Sequence, residues 1–222
     1  MSYSNIIFDF DGTLTDSKWD IAGAQVWVLR QLGVDTYAEE DLFPHIGKTL
    51  EETFSALLPA TLHHRIAEAA RMYSEYYQPR SLRTTTLFPG VRETLEVLKR
   101  RGKRFAVAST KRGVGIRRAT DHFGITGYFV QLQGSDGIPF KPDPAIINKI
   151  LAEQGWRREE TVMVGDTDKD VLVGKNAGVA TCAVAYGSLT YEELEEHSPD
   201  FIIRSFSELM GVVDGCSQAK ST

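Results

Sequence analysis

Only two cysteines, Cys182 and Cys216, occur among the 222 residues of the chain. That is too few for a disulfide scaffold, and their spacing matches no metal-ligand pattern. A reducing cytoplasm is the expected compartment. No apolar run approaches the ~18–20 residues that a membrane-spanning helix needs. The first five residues, Met1 to Asn5, contain no basic stretch leading into a hydrophobic one, so neither membrane association nor a secretory signal is expected. Positive charge is also in short supply: 25 Lys and Arg face 30 Asp and Glu, a net charge of −5. That balance disfavours a general nucleic-acid binder, which must neutralise many phosphates. Internal repeats and low-complexity tracts are absent as well. What remains is 42% hydrophobic and 25% charged, enough apolar matter for the core of one or two domains.

Short continuous apolar runs are present at residues 5–8, 105–108, 161–164, 179–184 and 201–203. Runs of this kind read as strands buried on both faces, which occur in parallel sheets. Helical patterns lie between them. In residues 91–99, Leu95 and Leu98 share a face; in 144–154, Ile147, Ile150 and Leu151 do the same. Gly102, Gly124, Gly155 and Gly178 follow the predicted helix ends, where a left-handed stop is needed. The alternation predicts an α/β, doubly wound parallel sheet.

One stretch breaks the rhythm. From about Ser17 to Phe88 there are helical patterns at 21–32, 50–58 and 62–77 and no convincing strand. We read residues 17–86 as a separate α-helical domain inserted into a core made of 1–16 and 87–214, with 215–222 a frayed polar tail. The tyrosines Tyr73, Tyr76 and Tyr77 and the tryptophans Trp19 and Trp27 are expected to pack within that helical domain.

The chemistry-bearing residues fall just after the predicted strands. Asp9-Phe10-Asp11-Gly12-Thr13 follows the first; strand residues two apart project to one side, so two carboxylates leave the sheet edge together. Such proximity is unfavourable unless a cation or a shared proton relieves it. Gly165-Asp166-Thr167-Asp168-Lys169-Asp170 follows the strand at 161–164. Asp166 or Thr167 there could equally cap the next helix, and Asp168 reads as a helix-start carboxylate. Ser109-Thr110 ends the strand at 105–108, and Lys141 precedes a helix whose N-terminus favours anions. Ligands of open α/β sheets bind at this edge, and three or four carboxylates gathered there suit a hard cation such as Mg²⁺.

In this order the four elements resemble the haloacid dehalogenase superfamily of phosphohydrolases, over residues 6 to about 209. Residues 9–17 and Phe88-Pro89-Gly90 look like its phosphoglycolate phosphatase-like branch, whose members insert a helical cap where the strand-free block lies. The resemblance implies a phosphatase acting on a small phosphorylated metabolite, as a monomer or homodimer. Asp9 would attack phosphorus and Asp11 would serve as acid and then base. Mg²⁺ would be held by Asp9, the Asp11 carbonyl and Asp166. Ser109, Thr110 and Lys141 would hold the phosphoryl oxygens, with Asp170 behind them. His45-Ile46-Gly47-Lys48-Thr49 resembles a cap loop, in which Lys48 would meet an anionic substrate tail. A hexose-phosphate mutase of the same superfamily uses the same acid pair and stays open as an alternative. A phospho-accepting receiver module also gathers acids, a hydroxyl and a lysine, but receivers are about half as long and carry no such insertion.

Overall fold

The computed structural model of the chain describes residues 2–215; Met1 and residues 216–222 lie outside them, with Cys216 and nearly all of the tail expected to fray. In chain order the elements are β1 (Asn5–Phe8), β2 (Thr15–Asp16), α1 (Lys18–Gln31), α2 (Leu50–Leu57), α3 (Ile66–Tyr77), β3 (Thr86–Leu87), α4 (Val91–Arg100), β4 (Arg104–Ala108), α5 (Gly113–His122), β5 (Phe129–Gln133), α6 (Ala145–Gln154), β6 (Thr161–Gly165), α7 (Asp168–Ala177), β7 (Ala180–Val184), α8 (Tyr191–Glu196), β8 (Phe201–Ile203) and α9 (Leu209–Val213). The chain divides into two compact units: Met1–Leu14 with Leu87–Thr222, and Thr15–Thr86.

The first unit is a six-stranded sheet of order β5-β4-β1-β6-β7-β8, parallel throughout. The doubly wound parallel sheet expected from the apolar runs is therefore present. Its central strand β1 is buried at every residue, as a strand covered on both faces must be. Ile7 faces a core with Ala106, Met163, Ile147, Ile150 and Val173. On the other face Phe8 meets the rings of Phe105, Phe129 and Phe206 at centroid distances of 5.8, 6.4 and 5.7 Å. Because both faces are filled, β1 and its neighbours cannot slip in register without exposing large apolar groups. That lock aligns the strand ends: Phe8 lies opposite Val107 of β4 and Val164 of β6, so Asp9, Ser109 and Asp166 leave the sheet at nearly the same level.

Two local differences from the sequence reading have plain causes. The strand β5 was not anticipated because its sequence, Phe-Val-Gln-Leu-Gln, is half polar; it sits at the sheet edge, where one side needs no apolar cover. The apolar run 179–184 yields a strand only from Ala180, because the Val179 amide bonds to the Gly174 carbonyl at 3.0 Å and closes the end of α7. Gly102, Gly124, Gly155 and Gly178 all adopt the left-handed conformation expected of helix stops.

The second unit packs α1, α2 and α3 around Val28, Leu29, Leu42, Phe54, Leu57, Ala69 and Tyr73. Trp27 stacks on Tyr76 at 4.1 Å and Tyr73 on Tyr77 at 5.2 Å, the packing expected of them. Trp19 departs from expectation: it meets the edge of Phe43 but stays 41% exposed. The helix read at 62–77 begins as a 3₁₀ turn over Ala60–Arg65, after Pro59. The stretch read as strand-free ends in β3, which pairs with β2 in a two-residue ribbon too short for any periodicity to show.

Asp20, in the first turn of α1, closes this unit on itself. Its carboxylate accepts hydrogen bonds from the amides and hydroxyls of both Thr84 and Thr85, at 2.6–3.2 Å. Burial alone would raise its pKa, but these four donors outweigh it and hold the carboxyl below the usual carboxylate range. A depressed folded-state pKa contributes stability above the unfolded value, and that contribution is lost as pH falls through the folded one. Asp20→Ala should therefore cost about 1–2 kcal/mol at neutral pH, since the donors of the buried Thr85 are left without an acceptor. Urea denaturation should show the gap from wild type narrowing below about pH 4; a gap independent of pH would remove the ionised carboxylate from the account. Among the described residues no helix is long and apolar enough to cross a membrane.

Candidate active site

Three strand ends of the first unit converge. The Asp9 amide donates to the Val164 carbonyl at 2.8 Å, which carries the β1–β6 pairing one residue beyond the strand. One carboxylate oxygen from each of Asp9, Asp166 and Asp170 then lies within 4.8 Å of the other two, all three residues buried. Lys141 is buried with them. Its Nζ donates to Asp9 Oδ1 at 2.8 Å and to Asp170 Oδ1 at 2.6 Å. Ser109, 1% exposed, follows β4, with Thr110 half-buried beside it.

Asp170 serves two structures at once. While Oδ1 takes Lys141, Oδ2 accepts from the amide and the hydroxyl of Thr167 at 3.1 and 2.7 Å. Thr167 and Asp170 form the capping box of α7. Thr167, not Asp166, is thus the helix cap, and Asp166 turns the other way. Its Oδ1 accepts from the Thr13 hydroxyl at 2.9 Å and its Oδ2 from the Ser188 amide at 2.9 Å. Thr13 is in turn fixed by Tyr186, whose hydroxyl donates to the Thr13 carbonyl at 3.0 Å. Gly12 makes the close approach possible: its φ is +86°, and a Cβ there would lie 2.1 Å from Asp166 Oδ2. Asp168 stands at the start of α7.

Thr13, Tyr186, Ser188 and Lys111 belong to this neighbourhood, and the sequence reading passed over them. Tyr186 and Ser188 follow β7 on the same sheet edge, so the strand-end rule that found the others would have found them too. Lys111 lies two residues past Ser109, and its Nζ is 3.0 Å from Asp11 Oδ2. Lys48 belongs to the other unit, exposed in the turn ahead of α2.

The electrostatics of the cluster follow from three buried acids facing one buried ammonium. Burial drives the Asp9 carboxyl up; Lys141 opposes this, Asp170 and Asp166 add to it, and the result is a pKa near 8. Burial and Asp170 likewise raise Asp166 to about 6, against the hydrogen bonds from Ser188 and Thr13. Lys141 goes the opposite way: burial alone would lower it, but Asp170 and Asp9 more than compensate and keep it protonated. Raised carboxyls in a buried, oxygen-only donor set mark a place where further positive charge is favourable. The set fits a hard divalent cation.

Comparison with known proteins agrees with this geometry. The haloacid dehalogenase-like hydrolase family matches residues 6–184. A phosphoglycolate phosphatase of Vibrio parahaemolyticus is 32% identical over 94% of this chain and 95% of its own. The pyrophosphatase PpaX of Halalkalibacterium halodurans is 28% identical over 96% and 98%. A solved haloacid dehalogenase-like hydrolase from Bacteroides fragilis superposes with a TM-score of 0.89 at 30% identity, covering 93% of this chain and 99% of that one. The chain belongs to the haloacid dehalogenase-like hydrolase family. Within it the chain is a phosphatase.

Proposed function

We propose that the protein is a Mg²⁺-dependent phosphomonoester hydrolase, phosphoglycolate phosphatase-like, working through an aspartyl-phosphate on Asp9. The observation that carries this reading is the buried Asp9–Lys141–Asp170 chain beside Asp166. Asp9 Oδ attacks phosphorus as the bond from phosphorus to the ester oxygen breaks, and Asp11 gives its proton to the departing alkoxide. Water then attacks the same phosphorus and its proton passes to Asp11. The bond from phosphorus to Asp9 breaks, inorganic phosphate leaves, and both acids return to their starting states. Lys141, Ser109 and Thr110 hold the phosphoryl oxygens; the lysine supplies charge, the hydroxyls direction. Asp170 keeps Lys141 in place.

Asp9, Asp166 and the Asp11 carbonyl are the proposed metal ligands. Asp170 is instead assigned to anchoring Lys141, while its other oxygen holds Thr167. When bound, the ion offsets repulsion between an anionic nucleophile and a dianionic phosphate. We assign residues 17–86 the role of specificity-bearing cap, with Lys48 reading an anionic substrate group. The enzyme would work in the cytoplasm, as a monomer or homodimer.

The substrate is tested by a panel of phosphoglycolate, inorganic pyrophosphate, a nucleoside monophosphate and a hexose phosphate, scored by released phosphate and kcat/KM with product analysis. The pyrophosphatase relative is the reason for the second compound. Phosphoglycolate should give the highest kcat/KM. If it fails while another member turns over well, the branch assignment falls; an isomerised hexose phosphate with little free phosphate would favour the mutase.

A further inference from the structure

Lys111 is placed with more care than a solvated surface lysine requires. Its Nζ lies 3.1 Å from Oδ1 and 3.0 Å from Oδ2 of Asp11, so it holds both carboxylate oxygens. Each side chain is only 13% exposed, unlike the open ion pairs whose two partners hold one another loosely. The backbone around it is tied from several directions. The Lys111 carbonyl accepts from the Ser135 amide at 3.2 Å, and its own amide donates to Ser109 Oγ at 3.3 Å. Asp136 accepts from the Gly113 amide at 2.6 Å and from Arg112 Nε at 3.1 Å. The two loops meet so closely that a Cβ on Gly134 would fall 2.6 Å from the Lys111 carbonyl oxygen and 2.2 Å from the Gly113 nitrogen. The lysine stem passes over Gly115, where a Cβ would touch Cε at 3.3 Å. One residue therefore ties Ser109 through its backbone and Asp11 through its side chain.

We infer that Lys111 is a positioning residue, which fixes the Asp11 carboxyl in the orientation from which it exchanges protons with the leaving oxygen and with water. This rests on the reading of Asp11 as the acid and base of the reaction. An ammonium carries three donors and no acceptor. It can hold both oxygens of the anion or the carbonyl oxygen of the protonated acid, so the orientation persists through both halves of the cycle.

The test compares kcat/KM for an alkyl phosphate drawn from the panel with that for p-nitrophenyl phosphate, on the full chain with Mg²⁺. This parameter reports events through the first irreversible step, transfer to Asp9. An alkoxide leaves poorly without a proton, whereas a nitrophenolate needs none. Asp11→Asn is the reference, expected to lose about 100-fold or more on the alkyl ester and less than about tenfold on the aryl one. Lys111→Met should lose about tenfold or more on the alkyl ester and under about threefold on the aryl one, with an unchanged melting temperature. Lys111→Gln takes its place if the Met variant does not fold. If the lysine variants lose equally on both esters, or on neither, while Asp11→Asn still discriminates, the positioning role is overturned and the Asp11 assignment stands. If Asp11→Asn itself fails to discriminate, the Asp11 assignment falls and the inference falls with it.

Discussion

Asp9→Asn should reduce turnover of every substrate by at least about 10³-fold, the scale seen when a nucleophile is removed. An amide oxygen is too weak a nucleophile to displace an alkoxide from phosphorus. The variant should nonetheless fold, and its stability gives a second readout. In the native state the Asp9 carboxyl is pushed up to about 8 by burial and by Asp170 and Asp166, against the pull of Lys141. An acid whose folded pKa exceeds its unfolded one costs stability as pH rises between the two values, here from about 4 upward. Metal-free wild type should therefore lose stability from about pH 4 to about pH 8. The Asn variant, which has no such proton to give up, should lose less and melt at or above wild type at neutral pH. Turnover within about tenfold of wild type would remove Asp9 from its role.

Withdrawing divalent metal should be as severe. Excess EDTA should bring turnover to background, and added Mg²⁺ should restore it. Binding can be read without catalysis: at about 100 times its dissociation constant a ligand confined to the native state adds about 2.7 kcal/mol. Mg²⁺ should thus raise the melting temperature of wild type and fail to do so for Asp166→Asn. Full activity in excess EDTA would take the metal out of the mechanism.

The fold was legible because its central strands announce themselves. Ile6, Ile7 and Phe8, or Val162, Met163 and Val164, are apolar on both faces and admit few other readings. The edge strand β5 and the two-residue strands β2 and β3 did not, since polar residues serve at an edge and two residues carry no period. At the site, the carboxylates were visible through their spacing and their place after strands. Asp166 was more ambiguous, because a helix cap and a carboxylate of the cluster leave the same trace in sequence. Lys111 was overlooked for a different reason: it acts by touching Asp11, 100 positions away, a relation that only the register of the sheet creates.

The dual service of Asp170 makes the α7 cap a reporter of the lysine. The Thr167 amide donates to the same carboxylate that holds Lys141, so any event that draws the ammonium toward an incoming anion alters the charge this amide sees. A single backbone nitrogen resonance, far easier to follow than a buried side chain, would then register the arrival of an anion at Lys141.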